Sequence, residues 1–412
     1  MWDRKALRTL SAVFCLFALF FSVFCKADED DESVLTRTRP AFDPLGIRVR
    51  DFILLPVLEV GIQYSDNIFT TASSRSDRIQ IVSPKVNVQS KWDNHAFGFI
   101  ARFEDRQYSV FTKENHQDYE LGMQGRLDLT RRINIGAEVA HNQINEPRGS
   151  HEDNGDLFPT QYEISTSNFS FSRKWTEFSI DLHQELKKIN NTGAIDHRDF
   201  DRRENKFTAR FANSLGSGET HFLYLQSTLH QRNYDRNMDR FGFSRGSLAM
   251  EILVGASSKA SGASQWDLFA GYQIQDHQDQ AFLDIADPTF GAEMIWRLSG
   301  LTSVIAVLTR DLEATNFDQA SGILASRFTM SAHHELLRNL LIHINFGFGL
   351  ENYQSIHRTD EVFTFQIGGQ YMLNRNIYLI FGYNHREHKL SPMFVGSEFT
   401  IDNFSFSVHT QI

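Results

Sequence analysis

Apolar and polar residues alternate along most of this chain with a period of two. In residues 403–412, one parity carries Phe404, Phe406, Val408, Thr410 and Ile412, and the residues between them are polar. In residues 340–351, six apolar residues occupy one parity. Six apolar residues at this spacing do not share one face of a helix, whereas side chains of a strand point alternately to its two sides. The pattern therefore predicts β-strands with one apolar face.

Roughly eighteen segments show this alternation, with sixteen as the alternative count. Each is close to the ~9–11 residues that a tilted membrane-spanning strand needs. The pattern is weaker in residues 161–174 and 220–232. The sequence predicts an all-β, antiparallel, up-and-down transmembrane barrel. The clearest segments are residues 95–107, 119–129, 133–142, 206–215, 265–275, 340–351, 363–373, 377–388 and 399–412.

The links between these segments alternate in length, as in outer-membrane barrels with short periplasmic turns and long extracellular loops. An even strand count would place both termini in the periplasm. The short links are residues 92–94, 130–132, 174–175, 216–219, 259–263, 300, 338–339 and 374–375. The long links are residues 65–77, 109–117, 143–160, 188–204, 233–240, 276–288, 311–322, 352–361 and 389–398.

The first residues are typical of a secretory signal. A basic start precedes the apolar run 10–24, and Cys25-Lys26-Ala27 is a small-x-small cleavage site. We expect a signal peptide at 1–27, cleavage near Ala27, and a mature protein in the outer membrane of a Gram-negative bacterium. Cys15 and Cys25 are the chain's two cysteines, so the mature chain would form no disulfide and no cysteine metal site.

Charge and hydropathy narrow the classes of protein further. The formal charge is −10 for the whole chain, and it becomes −13 without residues 1–27. This disfavours nucleic acid as a partner. No stretch after Phe24 is apolar for the length of a transmembrane helix, whereas barrel strands need only one apolar face.

Aromatic residues near the predicted strand ends suit the interfacial girdles of a barrel, with ordinary strand aromatics as the alternative. The chain has 36 phenylalanines, which suits lipid-facing strands. The candidate girdle residues are Tyr64, Tyr108, Tyr119, Trp175, Trp266, Tyr353, Tyr371 and Tyr378.

The final strand resembles the C-terminal strand that the bacterial barrel assembly machinery recognises. The usual terminal residue is aromatic, and Ile412 departs from that pattern. The resemblance implies the assembly machinery as a partner. A barrel in this membrane would also contact outer-membrane lipid and lipopolysaccharide.

Residues 36–71 resemble the opening of the putative β-barrel porin-2 family of outer-membrane proteins. A tyrosine often stands in the family where Phe42 stands here. The resemblance implies an outer-membrane barrel, a connection with export of capsular or exopolysaccharide, and no catalytic residue. It extends over the rest of the chain as architecture only. The residues that carry it are Arg39, Pro40, Phe42, Asp43, Pro44, Leu45, Gly46, Arg48, Pro56, Glu59, Val60, Gly61, Tyr64, Asp66, Asn67, Ile68 and Phe69.

Residues 28–52 form a predicted periplasmic lead before the barrel at 53–412. Within it, residues 37–50 contain two prolines and an Asp-Pro turn. This segment could order the first strand, plug part of the lumen, or dock a partner.

Charges of both signs fall on the polar parity and are candidates for lining the lumen. They would make a polar conduit for hydroxyl-rich or charged solutes, or a solvated wall without selectivity. The candidates are Arg102, Glu104, Arg126, Asp128, Glu138, Asp181, Arg210, Glu251, Asp267, Glu293, Arg297, Arg327 and Arg386.

The sequence offers little for catalysis or cofactors. The local groups His333-His334-Glu335 and His183 with Glu185 lack a nucleophile motif. Residues 151–156 are acidic but lack the spacing of a calcium-binding EF-hand. There is no glycine-rich phosphate loop. We therefore predict no enzyme activity, no metal site and no cofactor.

Three functions remain open: a conduit or accessory for polysaccharide export, a general diffusion porin, and an enzyme acting on lipid or glycan. Export would need separate periplasmic and inner-membrane proteins. A charged loop folded inward would favour the porin, and a Ser–His–acid group near the outer leaflet would favour the enzyme. An aromatic track along the lumen would favour the polysaccharide conduit, because sugars stack on aromatic faces.

Overall fold

The computed structural model shows a closed barrel of antiparallel strands. It describes residues 34, 37–150, 159–192, 199–216, 220–259, 264–315, 317, 320–391 and 398–412. In these residues a short strand, β1 (Ile47–Val49), precedes eighteen long strands. They are β2 (Phe52–Ser65), β3 (Asp77–Ser90), β4 (Ala96–Tyr108), β5 (His116–Thr130), β6 (Ile133–Asn145), β7 (Gln161–Lys174), β8 (Phe178–Asn191), β9 (Arg202–Ser214), β10 (His221–Tyr234), β11 (Ser247–Ser258), β12 (Ser264–His277), β13 (Ile285–Ser299), β14 (Thr302–Glu313), β15 (Ile323–Leu337), β16 (Leu340–Tyr353), β17 (Arg358–Met372), β18 (Ile377–Leu390) and β19 (Phe399–Gln411).

The long strands close on themselves. Each pairs antiparallel with the next along the chain, and β19 pairs with β2. Closure removes the sheet edges and gives backbone groups a partner on both sides. The prediction of an up-and-down barrel with eighteen strands is confirmed, and the alternative of sixteen is excluded.

The two faces of the wall differ in chemistry. Leu58, Val60 and Ile62 on β2 and Leu121 and Met123 on β5 are exposed apolar residues on the outside. The residues between them point into the barrel. This alternation is what lipid outside and water inside require of each strand. In the described part of the chain, no helix is long and apolar enough to span a membrane.

The connections differ in length between the two ends, which we call the short-turn end and the long-loop end. The strands, at 12 to 15 residues, are longer than predicted. One predicted long loop, 352–361, is therefore wrong: only residues 354–357 separate β16 from β17. The short-turn end has residues 91–95, 131–132, 175–177, 215–220, 259–263, 300–301, 338–339 and 373–376. The long-loop end has residues 66–76, 109–115, 146–160, 192–201, 235–246, 278–284, 314–322, 354–357 and 391–398.

Some of the predicted girdle aromatics lie on the wrong face. Tyr64 is exposed on the outside, as expected. Tyr378 shares the inward parity and stacks on His409, with ring centroids 4.6 Å apart. Tyr108 and Tyr353 also point inward, and Tyr353 is buried. Distance from a strand end does not reveal the face, because one residue of register reverses it.

Strand β1 completes the closing seam of the barrel. β19 covers β2 only from Val57 to Ser65, and β1 covers Phe52–Leu54 on the same edge. The Gly46 N–H donates to the Ile412 carbonyl at 3.0 Å, which joins the two partners end to end. Pro56, which has no N–H to donate, falls in the gap between them.

Gly46 has a backbone conformation that the seam requires. Its φ is +69°, in the left-handed region that favours glycine. A Cβ there would lie 2.3 Å from Ile53 Cγ2 and 2.9 Å from the Leu54 carbonyl oxygen. Neither contact is possible without movement of β1 or β2.

We therefore predict that Gly46→Ala releases β1 from the seam, at a cost of about 1–3 kcal/mol. The measurement is trypsin cleavage at Arg48 and Arg50 in the folded, detergent-purified protein, which should become faster. Gly216→Ala is the matched control, because Gly216 also has positive φ but nothing within 4 Å of its Cβ position. Equal protection in both variants would contradict the assignment.

Candidate functional site

The inner wall of the barrel is the candidate site. All thirteen charged residues predicted for the lumen lie at the parity opposite to the exposed apolar residues of their strands. The strands that carry them are β4 (Arg102, Glu104), β5 (Arg126, Asp128), β6 (Glu138), β8 (Asp181), β9 (Arg210), β11 (Glu251), β12 (Asp267), β13 (Glu293, Arg297), β15 (Arg327) and β18 (Arg386).

Most of these charges are paired within the wall. Arg126 Nε lies 3.0 Å from Asp128, and Arg210 Nη2 lies 2.9 Å from Asp267. Arg102 pairs with Glu104 on the same strand.

Further pairs cross between strands. Arg327 on β15 bridges Glu313 and Glu351, and Asn168 Nδ2 lies 3.4 Å from Glu138. Asp181, Glu251 and Glu293 have no side-chain hydrogen bond or ion pair with the described residues. Where charges of both signs pair, the net field of the wall is low, which suits passage more than tight retention of an ion.

The β6–β7 connection folds inward at the long-loop end. Arg386 on β18 donates from Nη2 to the Gly149 carbonyl at 2.8 Å. Gly149 packs against Thr70 and the inward ring of Phe399. Because β2 to β5 and β19 all lie between β6 and β18, residues 146–150 cross the inside of the mouth instead of following its rim.

This connection is also held by a buried ion pair. Arg148 donates to Glu114 at 3.0 Å from Nε and 2.8 Å from Nη2. Glu114 lies in the one-turn helix Thr112–Glu114 between β4 and β5. Both side chains are less than a tenth exposed. The predicted acidic loop, residues 151–156, lies outside the described residues.

The opposite side of the mouth is covered by a second group of loops. Arg245 Nε lies 2.6 Å from Asp239, and Arg245 Nη1 donates to the Thr315 carbonyl at 3.2 Å. Its guanidinium lies 5.4 Å from the ring centroids of both Phe200 and Phe282. Four long loops therefore meet at one arginine.

Asp279 ties two of these loops together. Its carboxylate accepts the N–H groups of Ala281 at 3.0 Å and Ser244 at 2.9 Å. These two hydrogen bonds hold the pKa of Asp279 below its usual range. Sequence reasoning missed this cluster and Arg148, because loop residues have no periodicity and their partners are distant in the chain.

The N-terminal segment occupies the lumen at the short-turn end. Arg39 Nη2 lies 3.0 Å from Glu335 on β15, and Arg37 Nη1 lies 3.4 Å from the same carboxylate. Val34 is buried against Leu341 and Met372, which point inward. The segment then runs along the wall toward β2.

Further contacts hold the segment to β18 and β19. The Pro40 carbonyl accepts from Arg375 at 2.5 Å, and the Phe42 carbonyl accepts from Gln411 at 3.4 Å. The ring of Phe42 packs against the Val34 group, together with Tyr378. Asp43 accepts the Arg39 N–H in a local turn. Pro44 and the exposed Leu45 lead into Gly46 and then into β1, which contains Arg48.

The remaining motif residues secure the seam at the long-loop end. Asp66 accepts the Asp402 N–H at 2.7 Å. Asn67 is buried and donates from Nδ2 to the carbonyls of Thr71 and Thr400 at 2.8 and 3.0 Å. Phe69 packs edge-on against Phe111. The motif residues from Gly46 to Phe69 thus contact both ends of the β2–β19 junction, whereas Arg39 lies in the lumen against β15.

The described residues contain no Ser–His–acid group with the geometry of a catalytic relay. Ser407, His409 and Glu59 meet inside the barrel, with Ser407 Oγ 2.8 Å and Glu59 3.7 Å from the same His409 Nε2. A nucleophile–base–acid relay would use both ring nitrogens. No group of three or more metal-ligating side chains occurs among the described residues.

The histidine groups singled out in the sequence separate as well. Glu335 points inward and binds the N-terminal segment. His333 points inward beside His343, whereas His334 faces outward and contacts Thr302. His183 and Glu185 face inward on β8, and neither has a side-chain hydrogen bond or ion pair with the described residues. They form no joint site.

Comparison with solved structures returns large outer-membrane barrels at low similarity. The chain is 10% identical to OccK2 (OpdF) of Pseudomonas aeruginosa, with a TM-score of 0.49 over 88% of this chain and 98% of that one. It is 10% identical to the FrpB iron transporter of Neisseria meningitidis, with a TM-score of 0.45 over 82% of this chain and 62% of that one. For the siderophore receptor PirA from Pseudomonas aeruginosa, identity is 6% and the TM-score 0.45, over 87% and 80% of the two chains.

Sequence comparison is more informative. No curated protein matches the chain significantly. A family described as "Putative beta-barrel porin 2" matches residues 39–412, beginning at the Arg39-Pro40 motif. This match spans the N-terminal segment from Arg39 onward, the seam and every described strand of the barrel. The chain therefore belongs to the putative β-barrel porin 2 family.

Proposed function

We propose that this barrel is a channel for hydrophilic solutes across the outer membrane, narrowed at both ends. The observation that carries this proposal is the β6–β7 connection, which crosses the mouth of a polar lumen and docks on Arg386. An inward-folded loop bearing charges, here Glu146 and Arg148, is the feature that favours a diffusion porin over a catalytic barrel. The short-turn end would face the periplasm and the long-loop end the outside.

An eighteen-stranded barrel encloses enough space for a water-filled path. The loops around Arg245 and residues 146–150 occupy part of that space from one end. The segment around Arg39 occupies part of it from the other. The path that remains is then lined by the paired charges of the wall, which favours small polar solutes over apolar ones.

A second candidate is passage of capsular or exopolysaccharide, which the family resemblance implied. It is favoured by one sector of the wall, β16–β19, where neutral amides, hydroxyls and glycines replace most of the charges. Separate periplasmic and inner-membrane proteins would then deliver the chain to the short-turn end. The inward aromatics described do not form a continuous track, because Tyr353 and Phe399 lie near one end and Tyr378 near the other.

The channel proposal predicts that Arg386→Ala widens the mouth. The change removes a charge-assisted hydrogen bond that stabilises the docked position of the loop by about 1.5–3 kcal/mol. Single-channel conductance of the purified protein in planar bilayers should rise, with larger current fluctuations. Arg203→Ala is the control, since Arg203 is exposed on the outer face. A stable ion current that is unaffected by Arg386→Ala would contradict the loop's role, and no current in any form would contradict the channel.

The N-terminal segment should act as a partial plug. Glu335→Gln leaves Arg37 and Arg39 without their carboxylate, at a similar cost of about 1.5–3 kcal/mol to docking of the segment. We expect higher open-channel conductance in bilayers and faster trypsin cleavage after Arg37, the cleavable arginine of the pair, because Arg39 precedes Pro40. Glu177→Gln, an exposed position at the same end, should change neither. Unchanged conductance together with faster cleavage would show that the segment moves without restricting the path.

A further inference from the structure

A continuous row of amide side chains crosses one sector of the inner wall. The strand register aligns Asn345 on β16 with Gln366 on β17, Gln366 with Asn384 on β18, and Asn384 with Asn403 on β19. Gln63 on β2 extends the row, because its Nε2 donates to Asn403 Oδ1 at 3.2 Å. We call these five residues the amide row. All five are partly exposed to the lumen.

Serines extend the same line at both ends. Ser331 on β15 pairs with Asn345, and Ser65 on β2 pairs with Asn403. The line therefore runs from β15 to β2 and contains hydrogen-bonding groups but no charge. Other sectors of the wall carry ion pairs, such as Arg210 with Asp267, or single acidic residues, such as Glu251 and Glu293. This line differs from them in having no charge.

Some hydrogen-bonding groups of the row have no partner among the described residues. Each amide offers a carbonyl acceptor and two N–H donors. Within the row, Asn345 Nδ2 donates to Gln366 Oε1 at 3.2 Å. Asn384 Oδ1 is buried and has no partner among the described residues. A buried acceptor without a partner is costly, so rotation of the Asn384 amide toward the lumen would offer an unpaired acceptor to a ligand hydroxyl in the middle of the row.

Gly382 provides space beside the row. Gly368 and Gly382 are the next inward residues after Gln366 and Asn384 toward the short-turn end, and they pair with each other. The His343 ring fills the space over Gly368, 2.7 Å from the position of a Cβ there. A Cβ on Gly382 would meet Ser405 Oγ at 3.2 Å and otherwise only a carbonyl oxygen at 3.9 Å. The wall is therefore recessed below Asn384, which leaves room for a ring or a chain to lie against it.

We infer that the amide row is a binding track for neutral, hydroxyl-rich chains, that is, for uncharged glycans. A hydroxyl group both donates and accepts, as an amide does, so successive amides can exchange hydrogen bonds with successive hydroxyls. Neighbouring strands are about 4.8 Å apart, a spacing comparable to one pyranose unit. Since barrel strands are tilted, a row that runs across them also rises along the lumen.

The inference rests on the proposed channel and names a substrate class within it. The absence of charge along the row favours release of a bound chain. Fixed charges would hold counter-ions over the path, whereas amides bind hydroxyls with modest energy and release them, as conduction requires. Binding along the track should be weak at each site and repeated from strand to strand.

The test is block of single-channel current by maltohexaose, a neutral linear glycan. In the unmodified protein, maltohexaose should block the ion current in steps, and the duration of each step gives the residence time of the sugar. Gln366→Leu with Asn384→Leu keeps side-chain volume but removes two amides, and should shorten the residence time about twenty-fivefold, roughly fivefold for each lost hydrogen bond. Asn142→Leu on β6 is the matched control, because it removes an inward amide outside the row, and its residence time should stay within about twofold of the parent.

A second variant tests the recess rather than the amides. Gly382→Val adds a side chain beside Asn384 and should also shorten maltohexaose block, while the ion current without sugar persists. Heat-dependent migration of the folded barrel on gels verifies that each variant is assembled. Block that is equal in all variants, or block by hexaguluronate but not by maltohexaose, would overturn the track. An absence of ion current before any sugar is added would instead refute the channel proposal.

Discussion

The pairing of β19 with β2 is the constraint on which the rest of this structure depends. Until these strands meet, the sheet has two edges whose N–H and C=O groups have no partner in lipid. The β19–β2 ladder covers only part of β2, and β1 covers much of the remainder. The Gly46 N–H and the Asp66 carboxylate fasten the junction near its two ends. The part of the family motif from Gly46 to Phe69 is thus explained by barrel closure, whereas Arg39 docks on Glu335 inside the lumen.

Closure also determines where function can reside. Once the outside must be apolar, chemistry is confined to the inward parity and to the loops. The wall contributes paired charges and a neutral amide row. The loops contribute a crossing segment fixed by Arg386 and Arg148, and the N-terminal segment is fixed by Glu335. Both obstructions are held by a few ionic or charge-assisted contacts, so single substitutions at those contacts should change passage through the lumen.

Much of the architecture was predictable from the sequence of each strand alone. One parity of a strand is apolar because it faces lipid, and the other is polar because it faces water. In residues 340–351 the period of two identifies a strand and assigns its inward face without any tertiary information. The same reasoning failed near strand ends. Tyr353 and Tyr378 lie inside the barrel, and residues 352–361 are mostly strand. Beyond the membrane the strands continue to pair, but their outward side chains no longer need to be apolar, so the alternation is lost there.

The sequence by itself determined the class of fold, the approximate number of strands and the parity of residues such as Arg102 and Asp267. These properties are local, since they depend on alternation between neighbouring residues. Only the tertiary structure decided which residues meet. The Gly149–Arg386 contact, the docking of Arg39 on Glu335 and the alignment of Asn345 with Asn403 through two intervening strands all depend on register and closure. Register is a property of pairs of strands, and no single segment of the chain contains it.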